Sequence, residues 1–148
     1  MRMDVVRLTI GMVAVAGAAM TAACGSSSSS PTTPTPPSGP SFATQIQAQI
    51  LTPACSSCHT DDGRNPSSQL NLKSTAVSYA QLVGIASVGK AGAVRVIPGN
   101  PSGSYLVQKL EGAADIVGLR MPRNGPPYLT DAQVALIRLW IQNGAPNN

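Results

Sequence analysis

Apolar residues along the chain fall into three regimes. From Leu8 to Met20 they run without a charge (Leu, Ile, Val, Ala, Gly and Met), with Arg2 and Arg7 before them and the small residues Thr21-Ala22-Ala23 after. A charged start, an apolar middle and a small-residue end is the order of a secretory signal, and the run is shorter than the ~20 residues that a membrane-spanning helix needs. From Gly25 to Ser41 the chain is almost wholly Ser, Pro, Thr and Gly. Such a segment has nothing to bury against the entropy of ordering, so a disordered stalk is expected there. Its prolines favour extended geometry at ~3.1 Å per residue, a reach of up to about 50 Å. From Phe42 onward apolar positions return with helical spacing, and no internal repeat is present.

Phe42, Ile46 and Ile50 recur every four residues, one stripe of a helix that Pro53 is expected to end. A Gly-, Ser- and Val-rich stretch then extends to about Asn100, with a short helix expected over Tyr79 to Val83. Asn100-Pro101 reads as an N-cap with proline at the first helical position. The helix it starts carries Tyr105, Leu106 and Leu110 and stops at Gly112. The clearest helix is the last. Thr130 and Gln133 form a capping box, Val134, Ile137 and Ile141 share a stripe with Leu136 and Trp140 beside it, and Gly144 ends it. No segment alternates like a strand. The expected organisation is a signal at 1–23, Cys24 with a stalk to 41, and one all-α domain with long loops at 42–148.

Composition sharpens this picture. A chain of 148 residues suits one modest domain plus attachments. Apolar residues make up 43% but aromatics only 3%, so large side chains to fill a core are few and a bulky buried cofactor would supply the missing volume. The net charge of +4 includes Arg2, Arg7 and Asp4 of the signal. The remaining charges are scattered, with no basic run interleaved with aromatics, which argues against nucleic-acid binding.

The chemistry is concentrated in Cys55-Ser56-Ser57-Cys58-His59, the attachment signature of a c-type haem. Two thiols separated by two residues each add to one of the vinyl groups on one porphyrin edge, which brings the next residue, His59, under the ring as the proximal iron ligand. The export signal places the motif in the compartment where such haem is attached. The alternatives are less suited to the sequence. A structural zinc site needs four ligands, and outside this motif the mature chain offers no further His and only Cys24 as a thiol. A thioredoxin-like pair wants a βαβ setting, and a disulfide between such near neighbours closes too short a loop to stabilise much.

The sixth iron ligand follows by elimination. Met1, Met3, Met12 and Met20 lie in the signal, which leaves Met121, in a Gly- and Pro-rich loop, as the one mature thioether. Lys73, Lys90 and Lys109 are next in line. Cys24 follows directly on small residues and resembles a bacterial lipoprotein cleavage site, where the thiol is lipidated and becomes the first mature residue. It is also the cysteine left over once Cys55 and Cys58 are assigned.

CSSCH, a single Met in RMP followed by Gly-Pro-Pro, and TDAQVALIRLWIQNGA together resemble a monohaem cytochrome c domain over Phe42 to Ala145. The resemblance implies a helical fold around one covalent haem c, with the first and last helices crossing so that Ile46 and Ile50 meet Ile137, Trp140 or Ile141. Arg120 and Arg123 become candidates to meet haem propionates or an acidic partner, or simply a solvated loop. Trp140 and Tyr105 are candidate propionate donors, or core residues with their polar tips at the surface. The Pro98 carbonyl is a candidate acceptor for the second nitrogen of His59. The expected function is outer-sphere electron transfer between redox partner proteins, not an enzyme, in an exported protein on the periplasmic side of a bacterial envelope, held to a membrane by lipidated Cys24. The rivals are an acceptor subunit of a larger membrane dehydrogenase or oxidase, and a ligand sensor or peroxidase-like enzyme with a displaceable Met121. The last is disfavoured because His59 is the only His, leaving none for distal acid–base work.

Overall fold

The computed structural model describes residues 39–60 and 67–148; the expected signal, Cys24 and the stalk to residue 38 lie outside the described residues. The folded body begins slightly earlier than the sequence predicts. Pro40 is already buried, and Ser41 caps the first helix by accepting from Thr44 N while its own N–H meets Gln45 Oε1 at 2.9 Å.

Helix α1 (Phe42–Leu51) continues through a further turn, Thr52–Ala54. Its winding is wide. Ile46 N bonds Ser41 O, and Thr52 N bonds Gln47 O, five residues back in each case, the π-helical pattern. Pro53 does not end the helix as expected. The winding carries on past it: Thr52 N before it bonds Gln47 O and Cys55 N after it bonds Leu51 O, so the helix forgoes one N–H at Pro53 and continues.

Helix α2 (Thr75–Leu82) starts ahead of the expected Tyr79 and stops at Val83, whose backbone is extended. The chain then doubles back. Gly84 N bonds Val96 O, Val96 N bonds Leu82 O, and Arg95 N bonds Ile85 O. Among the described residues these contacts yield only isolated bridges, Val83 with Val96 and Ala86 with Val94, and no strand.

Helix α3 (Tyr105–Glu111) begins later than Asn100-Pro101 implies. The Asn100 side chain accepts from Gly103 N, closing a separate turn, and Ser104 takes the N-cap position. Gly112 ends the helix in the left-handed conformation at φ 73°, as its sequence position predicts. Helix α4 (Asp131–Gln142) carries the expected capping box of Thr130 and Gln133.

The described residues are thus all-helical, packed on one core. Helix α1 contacts α2 and α4, and α3 contacts α4. Phe42 joins them: its ring lies 5.0 Å from Trp140 on α4 and 5.3 Å, edge-on, from Tyr79 on α2. Ile46, Ile50, Ile137 and Ile141 are buried in the same cluster. The C-terminal tail closes over this crossing. Trp140 Nε1 donates to Pro146 O, Tyr79 OH to Ala145 O, and Asn148 O accepts from Ala43 N and Ser41 Oγ. The indole tip of Trp140 is therefore satisfied internally and not at the surface. Among the described residues no helix is long and apolar enough to cross a membrane.

Candidate functional site

The Cys-x-x-Cys-His segment is coiled onto the end of α1. Cys55 N and Ser56 N both bond Leu51 O, and Cys58 N and His59 N both bond Cys55 O, so the motif continues the helix as a tight turn. Ser56 Oγ donates to Thr52 O and adds to the turn. Cys55 is half-buried and packs against the core, whereas Cys58 is exposed; both are free thiols. Burial, and secondarily the charge Cys58 would carry, push the Cys55 thiol up to about 11. Cys55 is thereby kept protonated at neutral pH, a weak nucleophile until a partner draws its proton.

His59 is half-buried and bracketed by the chain that returns at Leu70 to Leu72. Its Nδ1 lies 3.2 Å from Leu70 O, and its own carbonyl accepts from Leu72 N at 2.6 Å. A carbonyl can only accept, so Nδ1 carries a proton, and in the neutral imidazole that leaves the lone pair on Nε2, the tautomer a metal-binding imidazole needs. The candidate acceptor from the sequence was Pro98, but Pro98 is exposed in a turn held to α4 by Gly99 N bonding Ile141 O. Leu72 is itself held from α1: buried Gln47 donates through Nε2 to both Leu72 O and Thr52 Oγ1. The oxygen of that amide, Oε1, is buried without a partner.

Met121 is half-buried against the same core. Its loop is stitched to α3 from several directions. Met121 N bonds Lys109 O, Val117 N donates to Tyr105 OH, and Arg120 Nε donates to Leu110 O. Lys109 Nζ donates to the carbonyls of Val117 and Leu119. Burial lowers the Lys109 pKa. The Arg120 guanidinium also lies 4.2 Å over the Tyr128 ring, while Arg123 is exposed. Lys90 pairs with Asp115 at 2.6 Å.

These placements sort the candidates. Cys55, Cys58 and His59 form one turn, and Cys55 and Met121 pack on one core. Lys90, Lys109, Arg120, Tyr105 and Trp140 are each engaged in contacts within the fold. Sequence reasoning missed Gln47, Leu70, Arg95 and the clamping roles of Lys109 and Tyr105. Arg95 carried a signal: it is a lone charge in the apolar run Val94-Arg95-Val96-Ile97, the mark of a buried guanidinium. No group of three or more His, Cys, Asp or Glu among the described residues is placed to hold a bare metal ion. A shallow cleft of about 410 Å³, lined by Glu111, Arg120, Asp131, Val134, Ala135 and Arg138, includes neither thiol, nor His59, nor Met121. What the arrangement offers is two thiols for covalent attachment on one helical turn, an adjacent imidazole in the ligating tautomer, and a thioether on a tethered loop.

Compared with protein-family models, with curated proteins and with solved structures, the chain matches none.

Proposed function

We propose that this chain is an exported electron carrier holding one haem c on a cytochrome c-like helical domain. The observation that carries the reading is the Cys55-x-x-Cys58-His59 turn at the end of α1, with the Nδ1 proton of His59 committed to Leu70 O. A redox dithiol has no use for a following imidazole held in one tautomer. A structural zinc needs four ligands where no group of even three is placed to hold an ion among the described residues, whereas a haem takes the two thiols and the one imidazole. When bound, the haem supplies reversible one-electron chemistry.

In this reading Cys55 and Cys58 form the thioether links. Half-buried Cys55 would make its link beside the core, and exposed Cys58 its link at the surface. His59 and Met121 would hold the iron. Thioether and imidazole together favour the reduced iron and a comparatively high potential. With His59 and Met121 both given to the iron, such a group would serve electron transfer and not catalysis at an open metal site. The tight stitching of the Met121 loop to α3 keeps reorganisation between redox states small, as a carrier requires. Residues 1–23 act as the export signal and lipidated Cys24 anchors the stalk, placing the domain beside a bacterial membrane on the periplasmic side, where it exchanges electrons with redox partner proteins.

The test is the intact mass of the mature protein after acid–acetone extraction, followed by visible spectra of the oxidised and reduced forms. One retained haem is expected; a haem-free mass overturns the reading. A Met121→Ala variant should keep its haem but bind added ligands at iron and lose potential. An unchanged spectrum and potential would assign the sixth position to another group.

A further inference from the structure

The turn that supplies the Leu70 carbonyl is unusual in its backbone. Ser68 and Gln69 immediately precede it, and both sit in the left-handed region, at φ 57° and 52°. Neither is glycine, and two consecutive side-chain-bearing residues in that region are strained. Strain of this kind persists only where the surroundings hold it. What holds it here is Arg95, which is 7% exposed. Its NH2 donates to Ser68 O at 3.2 Å and Gln69 O at 3.3 Å, and its NH1 to Gln81 O at 2.8 Å. All its hydrogen-bond acceptors are neutral backbone carbonyls. Burial works against its charge, and its pKa is lowered accordingly. A guanidinium placed in the interior with carbonyls as its partners is costly. One arm of its rigid fork, NH2, takes both consecutive carbonyls of the strained turn while the other, NH1, holds Gln81 O, so the guanidinium ties the turn to α2. Gln81 is engaged on the same strap a second time, since its side chain accepts from Asn71 N at 2.7 Å.

We infer that Arg95 is a positioning residue for His59: by holding the strained Ser68-Gln69 turn it fixes the Leu70 carbonyl that receives the Nδ1 proton. The inference rests on the haem reading of His59 for its functional meaning, while the geometry it invokes belongs to this chain alone. A fixed Nδ1–H bond sets the ring orientation and raises the basicity of the ligating nitrogen. Arg95 thus acts on the iron through two backbone turns without touching it.

The experiment uses the full mature chain. Intact mass first establishes whether haem is attached; a haem-free parent sinks the electron-carrier reading but not the measurement that follows. Hydrogen exchange is then read at two sites by NMR of the reduced protein. One is the Leu72 amide, which donates to His59 O and reports the strap with or without haem. The other is the His59 Nδ1 proton. Arg95→Gln should speed both by about tenfold or more, the effect of losing hydrogen bonds to a charged group, and should raise the reduction potential as the imidazole becomes a weaker donor. Glycines at the strained positions, Ser68→Gly with Gln69→Gly in the Arg95→Gln background, remove the need for the clamp and should return both rates most of the way to the parent. A merely structural Arg95, serving only to anchor the end of α2, would not be rescued by glycines in a different segment. Unchanged exchange in Arg95→Gln, or glycines that restore neither rate, overturns the inference. If Arg95→Gln alone does not fold, the glycine-bearing form is measured instead, and its failure to fold counts equally against it.

Discussion

Phe42 is the residue through which the ends of the described chain are joined, and its truncation has a calculable cost. Its ring is fully buried and lies between Trp140 and Tyr79. Replacing a buried Phe by Ala costs ~3–5 kcal/mol through lost transfer energy and the residual cavity. Two ring contacts, each worth about 0.5–1.5 kcal/mol beyond area burial, push Phe42→Ala towards the upper end, at about 4–5 kcal/mol. Collapse into the cavity is hindered because the tail residues Ala145 to Asn148 are tied across it by hydrogen bonds from Tyr79, Trp140 and Ser41. Urea unfolding is followed by the fluorescence of Trp140, the only Trp in the chain and fully buried. With a slope of roughly 1.5 kcal/mol per molar urea for a domain of this size, the midpoint should fall by about 3 M. Leu139→Ala is the control. Leu139 is half-exposed on the same helix, and its truncation should shift the midpoint by no more than about 0.3 M. A Phe42→Ala shift below roughly 0.7 M, equivalent to about 1 kcal/mol, would refute the reasoning that the α1–α4 crossing is closed by this ring.

Four further outcomes follow from other parts of the chain. In the haem-free chain an alkylating reagent should label exposed Cys58 faster than half-buried Cys55, whose burial keeps it a thiol; peptide mapping that finds equal labelling contradicts the burial. The sign of the pH effect is also fixed. The folded Cys55 pKa lies above the ordinary 9.0, so its contribution to stability is present below pH 9 and is lost as pH rises through about 11, a loss that Cys55→Ser should remove. Gly118→Ala, at φ 73° with open space around it, should cost about 1 kcal/mol in urea unfolding. Gly112→Ala, at the same φ, places its Cβ 3.0 Å from Arg120 Cδ and should cost more, ~2 kcal/mol, because Arg120 is held by Leu110 O; equal costs would mean that Arg120 yields freely. Finally, a chain in which an ordinary cleavable signal replaces residues Met1 to Cys24 should be exported in soluble form with its haem, and sedimentation with membranes after a high-salt wash would place the anchor elsewhere.

What the sequence alone determined is local. The α4 capping box, the α1 stripe, the Gly112 stop and the grouping of Cys55, Cys58 and His59 depend on residues within a turn or two of one another, so spacing and side-chain type are enough to specify them. The non-helical character of the Met121 loop is local too, because its glycines and prolines oppose helix without help from the rest of the chain. What only the tertiary structure decided is which distant partner each group meets. The acceptor for His59 turned out to be Leu70 and not Pro98, and no sequence reading can tell them apart, because every residue carries the same backbone carbonyl and only packing brings one of them within reach. For the same reason nothing in the sequence names the carbonyls that Arg95, Lys109 and Gln47 donate to, each of them in another segment. Pro53 shows the limit even for local signals. It is expected to stop a helix, yet the five-residue hydrogen bonds on either side of it, Thr52 N to Gln47 O and Ser56 N to Leu51 O, carry the wide-wound chain past the missing N–H.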